Sequence, residues 1–205
     1  NLKKLFLKVQ INSAWFDMST QYRTIIRSPM ERARIYRERE DIAVPALFLD
    51  RDGVIMEEKH YLQSAKDVVL IDGAADMLRK VDKIGYPIIV ITNQSGISRG
   101  YLNWGDYGQV TDKLVRLLSS FSSLPLTAIY ANGYGPNASS KSWRKPSPEM
   151  LKSAALELHL DLSRSFLIGD RLSDLQAGES AGLTELIHVN SGHGQRERSS
   201  VIDWD

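Results

Sequence analysis

The stretch Ala46-Leu47-Phe48-Leu49-Asp50-Arg51-Asp52-Gly53-Val54 carries an apolar run into two carboxylates spaced two residues apart and then a glycine. Side chains alternate along an extended chain, so Asp50 and Asp52 project to the same side at the strand's carboxyl end. Like charges that close repel and call for a cation, a proton or an electrophile between them. Further apolar runs at 87–92, 126–131, 165–169 and 184–189 alternate with stretches of helical period. Ala74, Ala75, Met77, Leu78, Val81 and Ile84 form one helical face, with Asp72 as N-cap and Gly85 as the stop. Val110, Leu114, Leu117, Leu118 and Phe121 form a second. Met150, Leu151, Ala154, Ala155 and Leu158 form a third, opened by Ser147 as N-cap and Pro148 at the first helical position. This alternation predicts an α/β fold, a doubly wound, Rossmann-like parallel sheet.

Hydrophobic residues make up 42% and charged residues 25% of the 205, a composition that buries a substantial core and excludes wholesale disorder. The absence of cysteine excludes disulfides and thiolate metal sites. No apolar stretch is long enough to span a bilayer, so no membrane insertion is expected. Lys8 breaks the leader-like run Leu5-Phe6-Leu7, and a cytoplasmic monomer is expected. The sequence opens on Asn1, with Met18 and Met30 as candidate starts. Lys3, Lys4, Lys8, Arg23, Arg27, Arg32, Arg34, Arg37 and Arg39 face only Asp17, Glu31, Glu38 and Glu40, which concentrates positive charge at one end of a chain of net charge +1. Such an arm could grip nucleic acid, but its interleaved Arg and Glu fit a solvated helix better. The expected organisation is a basic, partly helical extension over 1–43 followed by one domain over 44–205.

In open α/β sheets ligands gather beyond the carboxyl ends of the strands, where four polar segments fall. Asp50-Arg51-Asp52 is the first, and Thr92-Asn93-Gln94-Ser95-Gly96, a hydroxyl followed by a turn with free N–H groups, is the second. Arg144-Lys145-Pro146-Ser147-Pro148 sets two cations before a helix start, which favours an anion. Gly169-Asp170 ends another apolar strand on an acid, completing an oxygen-rich set for a hard divalent cation, most naturally Mg²⁺. The glycine-rich and serine-rich stretch 132–142 reads as a long loop above the sheet.

In this order the segments resemble the four motifs of the haloacid dehalogenase (HAD) superfamily of phosphohydrolases. The fuller stretches Asp50-Arg51-Asp52-Gly53-Val54-Ile55 and Thr92-Asn93-Gln94-Ser95-Gly96-Ile97-Ser98-Arg99-Gly100-Tyr101 are similar to the branch that holds the heptose 1,7-bisphosphate and histidinol-phosphate phosphatases. The resemblance implies a HAD-like domain with little or no cap. It implies Asp50 as the nucleophile, Asp52 as acid and base, Thr92 on a phosphate oxygen and Lys145 on the transferring group. It further implies Mg²⁺ held by Asp50, the main-chain carbonyl of Asp52, and Asp170. Substrate would meet Glu58, Lys59, His60, Tyr61, Asn93, Gln94, Ser95, Arg144 and Arg171. Zinc is not expected, because residues 131–143 contain neither cysteine nor histidine.

The expected activity is removal of a phosphate from a small phosphorylated metabolite, foremost a heptose bisphosphate, through an aspartyl-phosphate. Histidinol phosphate and the 3′-phosphate of a polynucleotide are the alternative substrates. A receiver-like phosphorylation switch is the non-enzymatic alternative, and Asp52 argues against it because an acid/base at that spacing promotes turnover.

Overall fold

Leu47, Phe48 and Leu49 are fully buried, and each points to one of two apolar layers that lie on opposite faces of a central sheet. The computed structural model describes residues 9–11, 14–17, 22–39, 42–120 and 123–204. The strands are β1 (Val9–Ile11), β2 (Ala14–Asp17), β3 (Tyr22–Ser28), β4 (Glu31–Ile35), β5 (Leu47–Leu49), β6 (Ile88–Asn93), β7 (Ala128–Asn132), β8 (Phe166–Gly169) and β9 (Glu185–His188). The helices are α1 (Ala74–Lys83), α2 (Trp104–Leu118), α3 (Glu149–Leu158), α4 (Leu172–Ala181) and α5 (Gly194–Trp204). Among the described residues the sheet runs β1-β2-β3-β4-β7-β6-β5-β8-β9.

Its parallel half, β7 through β9, is the doubly wound sheet that the apolar runs predict. Leu47, Leu49, Ile88 and Val90 pack against Leu78 of α1 and Val110, Leu114 and Leu118 of α2. Phe48, Ile89, Ile91 and Leu167 pack on the other face against Met150, Leu151 and Ala154 of α3 and Leu175 of α4. Strands covered on both faces read as unbroken apolar runs, which is why they are visible in the sequence. Each such side chain gains about 1.5–3 kcal/mol on burial. No cap domain interrupts this half: among the described residues, 50–73 and 133–148 hold only one short 3₁₀ turn, Ala65–Asp67.

Local signals differ in detail from expectation. Gly73, at φ +76, rather than Asp72, precedes α1, and its lack of a Cβ permits that left-handed conformation. α3 begins at Glu149, whose N–H reaches back to the Ser147 hydroxyl at 3.4 Å. α2 opens on a capping box, Asn103 accepting from Gly105 and Asp106 while the Asp106 carboxylate accepts from the Asn103 N–H. Phe121, Met18 and the lysines at 3, 4 and 8 lie outside the described residues.

The basic arm is the main correction. Over 22–35 it forms an antiparallel β-hairpin instead of a solvated helix, and β4 pairs antiparallel with β7 to extend the parallel half. Alternation with period two decides this: Glu31, Ala33 and Ile35 are buried, while Arg32 and Arg34 face the other way. The β-branched run Thr24-Ile25-Ile26 supports it. Four of the arm's six arginines are held by carboxylates, Arg23 by Glu38 and Glu157, Arg27 by Glu31, Arg34 by Asp112 and Arg37 by Asp82. Exposed pairs of this kind contribute about 0–1 kcal/mol each, so the apolar contacts of Ala33 and Ile35 are the stronger tie.

Ile35→Ala is therefore expected to destabilise the whole protein by about 2–5 kcal/mol. Denaturant unfolding checks this, and an unchanged midpoint would make the hairpin an appendage to an independent domain over 44–205.

Candidate active site

Strand order reverses between β5 and β8, and the chain segments that leave β5, β6 and β8 surround a cavity of about 510 Å³. Asp50 follows β5, fixed by its own N–H to the carbonyl of Ile168 at 3.0 Å. One carboxylate oxygen lies 2.9 Å from Nζ of Lys145. The same ammonium lies 2.7 Å from Asp174 Oδ1 and donates to the carbonyl of Ile91 at 2.8 Å. Lys145 is only 3% exposed, so its charge depends mainly on these three oxygens. Asn93 clamps its backbone from both sides, accepting from the Lys145 N–H and donating to the Lys145 carbonyl.

Asp170 follows β8 and is wholly buried. Its Oδ2 accepts the His193 N–H at 2.7 Å, while its Oδ1 has no partner among the described residues. Oxygens of Asp50, Asp170 and Asp174 lie within 4.8 Å of one another. Three carboxylates thus face one ammonium. Burial, reinforced by the Asp174, Asp170 and Asp52 charges and opposed by Lys145, pushes Asp50 up to about 8. Burial and then Asp174 raise Asp170, with the His193 N–H pulling the other way. Burial alone would lower Lys145, but Asp174 and Asp50 outweigh it and hold the ammonium above its ordinary range. The orphaned Asp170 oxygen, in an all-oxygen set short of positive charge, fits a hard divalent cation such as Mg²⁺.

Two glycines make room for Asp170. Gly53 and Gly192 have φ of +80 and +57, and a Cβ on either would come within 2.3 Å of Asp170 Oδ2. Their close approach lets Ser191 Oγ donate to the Gly53 carbonyl at 2.6 Å and sets the loop after β9 over the acidic corner.

The two leading carboxylates do not share a cation. Asp50 faces Lys145, whereas Asp52 is gripped by the guanidinium of Arg51 at 2.8 and 2.9 Å and accepts from Gln94 Nε2 at 2.8 Å. Gln94 also donates to Thr92 Oγ1, so its amide orders Asp52 and Thr92 together. Thr92 is buried and is not among the cavity-lining residues. The side-chain carboxylate that joins Asp50 and Asp170 is Asp174, not Asp52. Asp174 also caps α4, its Oδ2 accepting the Arg171 N–H.

Glu58, Lys59, His60, Tyr61, Ser95, Arg144 and Arg171 all line the cavity, as do Asn93 and Gln94. Lys59 already donates to the carbonyl of Asp67, and Arg144 to that of Tyr134. Burial, with Arg99 and Arg171 nearby, lowers the Arg144 pKa, so three cations converge on one rim. Arg99 and His193 are lining residues that had no assigned role from sequence. Arg99 stands within the second matched stretch. His193 follows β9, where the strand-end rule would have directed attention. Trp143, next to Arg144, is a core residue packed on Tyr130 with its indole N–H on Ser153.

A family model described as HAD-hydrolase-like matches residues 142–202. A D-glycero-beta-D-manno-heptose-1,7-bisphosphate 7-phosphatase from Mesorhizobium japonicum is 40% identical over 147 residues, covering 69% of this chain and 68% of the relative. The Salmonella typhi protein of the same name is 35% identical, covering 79% and 89%. The crystal structure of a D,D-heptose 1,7-bisphosphate phosphatase from B. bronchiseptica, complexed with magnesium and phosphate, is 27% identical and superposes with a TM-score of 0.70, over 78% of this chain and 87% of that one. With these likenesses laid over the same strand-end carboxylates and buried lysine, the chain belongs to the HAD-like phosphatase family that contains the heptose-1,7-bisphosphate 7-phosphatases.

Proposed function

We propose that this chain is a Mg²⁺-dependent phosphohydrolase that removes one phosphate from a heptose bisphosphate. The observation that carries the reading is the Asp50 carboxylate at the cavity floor, 2.9 Å from a buried ammonium and beside an unpartnered Asp170 oxygen, beneath a rim of three arginines. In the first half-reaction an Asp50 oxygen forms a bond to phosphorus as the bond from phosphorus to the sugar oxygen breaks, and Asp52 gives that oxygen its proton. In the second, Asp52 takes a proton from water as the water oxygen attacks phosphorus, releasing inorganic phosphate and restoring Asp50. Arg51 and Gln94 keep Asp52 aimed through both steps. Lys145 balances charge on the transferring group, as aimed cations do in phosphoryl transfer. Asp50 and Asp170 would hold Mg²⁺, which when bound adds charge neutralisation at the phosphoryl oxygens.

Arg99, Arg144 and Arg171 support a substrate with a second phosphate. Burial, with Arg99 and Arg171 beside it, disfavours the charge on Arg144, and an anion among the three relieves it; histidinol phosphate offers only one phosphate, which the floor would take. Four of the arm's described arginines, Arg23, Arg27, Arg34 and Arg37, are already paired with carboxylates, which weakens the polynucleotide alternative. Among the described residues no helix is long and apolar enough to cross a membrane.

Assays of phosphate release from a heptose bisphosphate test the reading directly. Asp50→Asn should lower turnover by roughly 10⁴-fold or more while the variant stays folded, and a near-normal rate would remove the nucleophile assignment. Arg144→Ala should raise KM for the bisphosphate by about 10–100-fold with kcat little changed and leave a sugar monophosphate unaffected.

The pH dependence of stability has a defined sign. Because Asp50 is raised from 3.8 to about 8 in the folded protein, the native state holds a proton that the unfolded chain has lost. Stability of the metal-free protein should therefore fall as pH rises from about 4 to about 8, Asp170 adding to the lower part of that window. Mg²⁺ competes with those protons, so its stabilisation should be larger at pH 8 than at pH 5. Thermal unfolding with EDTA and with Mg²⁺ at both pH values measures this, and equal stabilisation at the two would count against the cation on these carboxylates.

A further inference from the structure

A second cavity, of about 170 Å³, opens where the hairpin meets α2. Tyr22 and Thr24 of β3 and Arg32 and Arg34 of β4 form one side, and Trp104 and Tyr107 of the first turn of α2 form the other. Arg34 and Ile129 are register partners, so the β4 side chains lining the cavity stand on the sheet face that α2 covers.

The arginines of this cavity differ. Arg34 is neutralised by Asp112 at 2.6 Å and lies over the Tyr22 ring. Arg32 lies with its guanidinium 4.5 Å from the centre of the Trp104 ring, and among the described residues it has no carboxylate partner. Its Nε is buried without a hydrogen-bond acceptor. A partly desolvated cation with an empty donor is stabilised by an anion brought to it.

The walls define the rest of such a ligand. Trp104 and Tyr107 meet edge to face at 5.4 Å between ring centres, and Tyr22 and Tyr36 do the same at 5.5 Å. Trp104 is anchored by its indole N–H on the carbonyl of Pro29, which ties the first turn of α2 to the hairpin turn. Aromatic walls favour a flat ring by edge and face contacts. A cavity of this volume is smaller than pockets for drug-sized ligands, which run from about 300 Å³ upward. It admits one ring with one small charged substituent and excludes a sugar bisphosphate.

We propose that this cavity is a second ligand site, taking a small aromatic carboxylate whose anion pairs with Arg32 and whose ring lies among Tyr22, Trp104 and Tyr107. It is separate from the phosphatase cavity in both lining residues and ligand chemistry, since it calls for a ring and a single carboxylate and not for a phosphate ester.

Calorimetric titration of the full chain with benzoate and with indole-3-carboxylate, in the presence of Mg²⁺, tests it. One-to-one saturable binding in roughly the millimolar range is expected, weakened about tenfold or more in Arg32→Gln. Thr24→Phe, which fills the cavity without touching the charge, should abolish binding, and the neutral analogue benzamide should bind at least about tenfold more weakly than benzoate. Asp50→Asn should leave the titration unchanged, which separates this site from the phosphatase floor. Circular dichroism checks that each variant is folded, and Arg32→Lys, which keeps the charge, should bind better than Arg32→Gln. Absence of saturable binding in the unmutated protein, or affinity unaltered in Arg32→Gln and Thr24→Phe, would overturn the proposal.

Discussion

A single ammonium, Nζ of Lys145, ties together parts of the chain that are far apart in sequence. It touches the carboxylate that follows β5, the carbonyl within β6 and the carboxylate that opens α4. A buried charge without partners costs several kcal/mol, so the fold must bring these oxygens to it. The clamp of Asn93 on its backbone fixes where the ammonium can reach. Lys145 therefore orients Asp50 and sets the electrostatic balance that the remaining acids upset. With Asp170 unpartnered on one oxygen among the described residues, that balance calls for positive charge from outside the chain.

The parallel half of the sheet was legible because its strands are covered on both faces and leave unbroken apolar runs. Asp50, Lys145 and Asp170 were legible for a related reason, since each lies just beyond the end of such a run or before a helix start. The hairpin was misread because arginine suits an exposed helix and an exposed strand face alike, and only the two-residue period of Ala33 and Ile35 distinguishes them. Asp174 lies in the first turn of α4, and its contact with Lys145 depends on a packing that spacing does not reveal. The separate partners of Asp50 and Asp52 are equally a tertiary fact, because Arg51 folds back on its own neighbour while Lys145 arrives from ninety-odd residues away.

The hairpin changes the architecture without reaching the phosphatase cavity. It converts an edge of the parallel sheet, β7, into an interior strand, and edges are where unwanted pairing begins. Its buried face joins the layer formed by α3 and α4, and its other face meets the start of α2. The same fourteen-residue stretch of alternating charge and hydrocarbon, 22–35, thus completes one core and borders a second opening.

Internal neutralisation of the hairpin arginines also governs how the molecule looks to its surroundings. An isoelectric point near 8.1 would ordinarily suggest a surface that clings to polyanions. Here Arg23, Arg27, Arg34 and Arg37 point back at their own chain, and the field each would cast is cancelled within a few ångströms of its source. At the mouth of the phosphatase cavity Arg99, Arg144 and Arg171 instead stand together, and the positive field they cast there draws doubly charged solutes inward.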